Sequence, residues 1–293
     1  MDMLTRVFCE VDDFCQAFEP EFNRMLLTMD LKPSRTSRMS LSEIMTIVIH
    51  FHQSGYRCFK HFYIKHVLAY LKAGFPQALS YNRVVELMPS ALILLCAFMK
   101  SKHGKPTGIS YVDATKLQVC HNKRIPSNRV FDGFASRGKT SMGWFYGFKL
   151  HLVVNDRGEI LAVKCTTGKA HDVSLLDSLC ARLWGKLFGD KGYISKEKAD
   201  LLMEKYGIEL ITTRRKNMKK KKIPLFDLVL LRGRSIIETI NDQLKNISQI
   251  EHSRHRSFYN FMVNVVSGII AYTFQEKKPS LNIQHSGLVV LNA

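Results

Sequence analysis

The chain has 293 residues, 46% of them hydrophobic and 10% aromatic, which excludes a disordered polymer and allows one large or two modest cores. Its 43 Lys and Arg against 25 Asp and Glu leave a formal net charge of +18, so a polyanionic partner is implied, nucleic acid above all. Seven cysteines without a C-x-x-C pair argue against a disulfide framework or a structural zinc site and fit a reducing cytosol.

Residues 1 to about 100 read as helical, and the opening MDMLTRVFCEVDDFC carries no signal-peptide pattern. Ser40, with Glu43 three residues on, forms a capping box for the helix in SLSEIMTIVIHFHQSG, whose apolar residues keep helical spacing up to Gly55. YRCFKHFYIKHVLAYLKAGF is a second helix or helix pair ended by Gly74 and Pro76. Ser80 is expected to cap a third, which Pro89 must break or restart. The apolar runs ALILLCAFM (91–99) and FMVNVVSGIIAY (261–272) are too short to span a bilayer and read as buried helices. Short basic helices suit a DNA-binding bundle, although no helix-turn-helix signature singles one out.

SKHGKPTG (101–108) is a candidate linker, and the pattern then changes. GISYVDATKLQVC (108–120) alternates as a strand; GWFYGFKLHLVVND (143–156) is a second, and EILAVKCTTG (159–168) returns as its hairpin partner. HDVSLLDSLCARLW (171–184) has helical spacing with Asp172 as its expected cap. GKLFGD is the next strand, SKEKADLLMEKYG (195–207) an amphipathic helix closed by Gly207, and IELITT (208–213) a further strand. RRKNMKKKK (214–222) holds seven cations in nine residues. RSIIETINDQLKNISQI (234–250) is a long helix, SFYNFMVNVVSGIIAYTF the last apolar one, and the tail from about 279 is polar. The order β-β-β-α-β-α-β-α predicts an α/β fold with a sheet flanked by helices, behind an N-terminal helical domain. The expected division is 1–105, 106–278 and a flexible tail, 279–293. Trp144 is expected to be buried in the sheet rather than stacked on a base.

Three acids stand apart. Asp113 lies inside the first strand, Asp190 follows a later strand between Gly189 and Gly192, and Glu238 is on the long helix. If those two strands are neighbours, both aspartates meet at one sheet edge, and a helix across that edge adds the third. Oxygen ligands of this kind hold hard divalent ions, and paired ions suit phosphoryl transfer. On the helix, Arg234, Asn241 and Lys245 fall within about 60° of Glu238, in one polar stripe, since each residue turns about 100°. That stripe is either a solvated face with an Arg-Glu pair or a metal-binding acid flanked by phosphate-binding cations. His252-x2-His255 and His61-x4-His66 are not read as metal sites.

On these residues, and on VCHNKRI, GWFYGFKLHLVVND, LFGDKGYIS and IIETINDQLKNISQIEHSRHRSF, the chain resembles a DDE transposase of bacterial insertion sequences. It is similar to the IS4-like group with a ribonuclease H-like core, and more narrowly to the IS982 family. The group's helix signature is Tyr-x2-Arg-x3-Glu-x6-Lys; Arg234, Glu238 and Lys245 match it, and Leu231 stands at the tyrosine position. The resemblance implies Asp113, Asp190 and Glu238 as catalytic residues holding two Mg²⁺ (or Mn²⁺) ions. It implies hydrolysis of a DNA strand at an element's terminal inverted repeat, followed by attack of the freed 3′-hydroxyl on target DNA. No covalent protein intermediate is required, so Tyr111 and Tyr193 read as packing or DNA-contact residues. Lys191, Arg214, Arg215, Lys216, Arg234, Asn241, Lys245, Arg254 and Arg256 are the implied DNA contacts, and recognition of the repeats falls to the N-terminal helices. The implied partners are double-stranded DNA and a second copy of the chain on it, in the cytoplasm of a bacterium at the nucleoid. The rival expectations are a ribonuclease H-like nuclease that cuts without joining, and a non-catalytic DNA-binding protein derived from a transposase.

Overall fold

The computed structural model describes residues 1–28, 37–140, 143–213, 218, 223–251 and 255–283. The chain starts with α1 (Met3–Thr28) and α2 (Leu41–Phe51). A short α3 (Phe59–Phe62) continues through a π-helical segment into α4 (Leu68–Tyr70); α5 (Tyr81–Leu87) and α6 (Leu92–Ser101) follow. Four strands come next: β1 (Ile109–Cys120), β2 (Ser136–Thr140), β3 (Gly143–Asn155) and β4 (Ile160–Thr167). Then α7 (Leu176–Cys180), β5 (Gly185–Gly189), α8 (Lys196–Tyr206) and β6 (Ile208–Thr212) alternate, and α9 (Leu225–Arg232), α10 (Ser235–Asn246) and α11 (Phe258–Thr273) close the order.

Two compact units emerge, and neither is a continuous stretch: one comprises 1–102, 118–135 and 242–275, the other 103–117, 136–241 and 276–293. The helical unit thus adds 118–135 and 242–275 to the N-terminal helices of 1–102. Its core joins Val7 and Val11 of α1, Ile47 of α2, Leu95 of α6 and Ile270 of α11. Ser40 and Glu43 make the expected capping box, each side chain accepting from the other residue's backbone N–H. Pro89 does interrupt its helix: it lacks the N–H that the α ladder needs, and Met88–Ala91 tightens into a 3-10 turn without ending the rod. Tyr81–Ser101 thus makes one helical stretch, longer than the run 91–99 suggested. Among the described residues it is the one helix with the length and apolarity to cross a membrane. Within this unit it serves as a core element, with Val84, Met88, Leu94 and Phe98 buried. Asn264, the polar interruption in the last apolar run, is buried and donates to the Ile250 carbonyl.

The second unit is built on a six-stranded sheet in the order β2-β3-β1-β5-β6, with β4 also paired to β3. β3 is long enough to take two antiparallel partners, β2 along Gly143–Gly147 and β4 along Phe148–Val154. β1, β5 and β6 are parallel neighbours. One face is covered by α7 and α8, whose Leu176, Leu179 and Leu202 pack on Val112, Val153 and Leu187. Gly207 ends α8 at φ +64, the left-handed turn that glycine adopts without a Cβ penalty.

Three local expectations change. SRGKT forms β2 although it has no apolar alternation, because the first half of β3 offers it a free edge. Asp172 does not cap a helix; it opens a 3-10 turn, and its carboxylate accepts from Lys149 Nζ at 2.9 Å. Trp144 is 60% exposed, while its neighbour Phe145 on the opposite face of β3 is 1% exposed. Phe145 faces the core, whereas Trp144 stands exposed at the start of β3, although Tyr146 on the same face is buried.

Candidate active site

The parallel pairing of β1 and β5 sets the register Ile109↔Lys186, Ser110↔Leu187 and Tyr111↔Phe188. Asp113 and Asp190 each come two residues after the last pair, where the parallel β1–β5 ladder ends; β5 stops there, while β1 runs on to Cys120. That end of an open α/β sheet is where crossover connections leave room for ligands. β5 stops at Gly189, where a Cβ would come within 3.2 Å of both Tyr193 Cδ2 and Val112 Cγ1. Asp190 then caps the 3-10 turn Lys191–Tyr193, and its Oδ1 accepts from the Gly192 N–H at 2.7 Å. A Cβ on Gly192 would stand 2.9 Å from that oxygen. A side chain at either glycine would thus crowd its neighbours, and the Gly192 N–H bond orients the Asp190 carboxylate.

The helical side is held to β1 by Tyr111, whose hydroxyl donates to the Leu230 carbonyl of α9 at 3.1 Å. Past Gly233 the chain enters α10. The Arg234 guanidinium donates to Glu238 Oε1 at 2.6 Å, four residues along the helix. One turn beyond Glu238, Asn241 Nδ2 donates to Asp113 Oδ2 at 3.0 Å. Asn241 is buried whereas the Glu238 side chain is 56% exposed. The polar stripe of the helix therefore has two parts: its buried residue steers the strand aspartate, and its exposed acid is held by an arginine.

Electrostatics link the three acids. Burial pushes the Asp113 carboxyl up to about 6; Arg234 and the Ala114 N–H pull it down, and the charges of Asp190 and Glu238 push it up further. Residues far apart in sequence thus lie within one another's field. Tyr193 belongs to the same neighbourhood: burial first, then Asp172, Asp113 and Asp190, hold its hydroxyl far above the usual tyrosine range. It stays a neutral, fully buried phenol. Among the described residues no three His, Cys, Asp or Glu side chains stand preassembled for a metal ion. The donor chemistry nonetheless fits a hard cation. The set is all carboxylate oxygen, and its most buried member carries a charge that its neighbours disfavour, a cost that a divalent ion relieves.

The remaining candidates divide. Lys191 and Arg256 are exposed. Lys245 is mostly buried and pairs with Glu251 at 3.1 Å, so its charge is already engaged. Asn241 turns to Asp113 rather than to solvent. Arg214, Arg215, Lys216 and Arg254 lie outside the described residues. Burial, reinforced by His52, lowers the His255 pKa to about 4, so the imidazole is neutral. The contact that sequence reasoning missed is Asn241 with Asp113. The helical stripe marked the asparagine, but only the packed structure names its partner.

A family model described as a transposase DDE domain matches residues 103–258, more than half of the chain. No curated protein matches the chain significantly.

Proposed function

Because the chain belongs to the transposase DDE domain family, we propose that it cuts DNA strands at the ends of a mobile element and joins them to a target. Asp113, Asp190 and Glu238 are the catalytic residues in this reading. The observation that carries it is the raised Asp113 carboxyl, in the field of both other acids where the parallel β1–β5 ladder ends. A carboxylate group of this kind has no value to the fold that a neutral residue would not supply, so its charge points to a ligand.

Asp113, Asp190 and Glu238 would hold divalent Mg²⁺ or Mn²⁺, which when bound neutralises phosphate charge and makes an oxygen nucleophile available at neutral pH. The chain's own residues do the positioning. Asn241 holds the Oδ2 of Asp113. The Gly192 N–H fixes Asp190, and Arg234 holds Glu238 until substrate competes for its guanidinium. Exposed Lys191, next to Asp190, is placed for a DNA phosphate. The strand sequence along β4-β3-β1-β5-β6 supports a ribonuclease H-like core, and the Arg234-x3-Glu238-x6-Lys245 spacing supports an IS4-like element of the IS982 kind. Terminal inverted repeats as the substrate and a dimer on DNA follow from the same reading, since two ends must be brought together.

The test uses purified protein, Mg²⁺ and DNA carrying the element's end. Nicked and joined products are expected from the wild type and neither from Asp190→Asn, with DNA binding retained. Nicking without joining favours a nuclease that stops at hydrolysis. Equal activity of Asp190→Asn removes the assignment.

A further inference from the structure

The β2–β3 hairpin carries a surface that this chemistry does not use. Arg137 faces Tyr146 across the ladder and Lys139 faces Trp144. Side chains alternate along a strand, so these four residues share one face of the hairpin. Arg137, Lys139 and Trp144 are all exposed there, and Lys139 Nζ lies 5.6 Å from the indole centroid. Trp144 is 60% exposed, so its indole is reachable from solvent. From 133 to 155 the sequence has no Asp or Glu, and its cations are Arg137, Lys139 and Lys149. Lys149 is taken by Asp172, which leaves Arg137 and Lys139 beside the ring.

We propose that this face binds single-stranded DNA, the Trp144 indole stacking on one nucleobase while Arg137 and Lys139 hold the flanking phosphates. A flat ring beside cations is the pairing that tracks an unpaired strand: the ring takes the base face and the cations take the backbone. An intact duplex offers no free base face except at its ends, so the site selects frayed or nicked DNA. An apolar protein surface is a poor occupant, because it would leave both cations desolvated and unpaired. The site rests on the transposase reading only in that DNA is the substrate; it adds a subsite for unpaired nucleotides on the hairpin.

The chain has two tryptophans, so Trp184→Phe leaves Trp144 as the sole indole reporter. A short oligothymidylate and a relaxed closed-circular duplex are titrated into this protein, with emission and fluorescence anisotropy read together. Expected is quenching of Trp144 that saturates with the anisotropy change for oligothymidylate and is absent for the duplex. In the wild-type background, Trp144→Ala is expected to weaken oligothymidylate binding by about 5- to 100-fold, the range of one base–aromatic stack, and Trp144→Phe by far less. Duplex affinity stays the same in both. Anisotropy that rises for oligothymidylate without quenching, or an unchanged affinity in Trp144→Ala, overturns the subsite and leaves the transposase reading standing. Failure of both DNAs to bind overturns both.

Discussion

The two ends of the β1–β5 strand pair treat charge in opposite ways. At the amino end, Lys186 sits opposite Ile109 and its Nζ meets Asp227 at 2.6 Å and Glu209 at 3.2 Å. Burial opposes the charge on Lys186, but hydrogen bonds to Asp227 and Glu209 outweigh it and raise its pKa above the ordinary lysine value. At the carboxyl end, Asp113 is met by a neutral amide, and the acids around it push its carboxyl up. The same strands thus carry a cluster in which a lysine lies between two acids and one in which three acids share one arginine. The first fastens α9 to the sheet, and the second costs stability that only a cationic ligand returns.

The largest effect expected is on catalysis. Asp190→Asn should lower strand cleavage by about 100- to 1,000-fold, the scale for losing one group that stabilises developing charge, with the fold intact by circular dichroism. The same change at the other end should act on the fold instead. Asp227 is 1% exposed, so Asp227→Asn leaves Lys186 with its weaker partner and should cost about 3 kcal/mol in urea unfolding. Normal cleavage by the folded fraction is expected there. If Asp227→Asn proves neutral for stability, the two ends do not differ as argued.

Asp113→Asn should reverse that sign. With a folded pKa of about 6 against an ordinary 3.8, the folded protein keeps a proton that the unfolded chain has lost. Stability of the wild type therefore falls as pH rises between these values, and the penalty is complete above about 6. Asparagine carries no such penalty and still offers Asn241 an acceptor. Asp113→Asn is expected to be more stable than the wild type by about 2 kcal/mol at pH 7.5 and equal to it near pH 3. Added Mg²⁺ should raise the melting temperature of the wild type and not of this variant. An Asp113→Asn protein less stable at pH 7.5 would show that the carboxylate is structurally satisfied.

How much of this contrast could be read in advance follows from what periodicity encodes. The strands around Asp113 and before Asp190, and the helix bearing Glu238, were legible because apolar residues recur at their proper spacing, and the acids stood out against a basic chain. β2 was not, since its pairing comes from β3 rather than from its own residues. Nor was Lys186 with Asp227: both are ordinary surface types, and α9, which carries Asp227, was not distinguished from the loop before the long helix. The exposure of Trp144 was misjudged for a related reason. Alternation fixes that Trp144 and Phe145 face apart, but not which of them faces the core.

The smallest effect tests the tie between the two helices and the strand. Tyr111 is fully buried, and its hydroxyl reaches the Leu230 carbonyl just ahead of Arg234, beside Leu231, where the IS4-like signature has a tyrosine. A Cβ on Gly233 would stand 3.1 Å from the same hydroxyl, so the chain is closely fitted there. Burial, reinforced by Asp156, raises the Tyr111 pKa well above the tyrosine range, so it remains a hydrogen-bond donor at any working pH. Tyr111→Phe removes one hydroxyl and leaves a carbonyl short of a donor, which should cost about 1 kcal/mol. Unlike the Asp113 effect, this loss should be the same at pH 5 and pH 8. Cleavage should drop only a few-fold, because the Arg234–Glu238 pair is displaced rather than removed. Stability and cleavage both at wild-type level would mean that α10 is placed by its apolar packing alone, and that the hydroxyl does not take over a role at the Leu231 position.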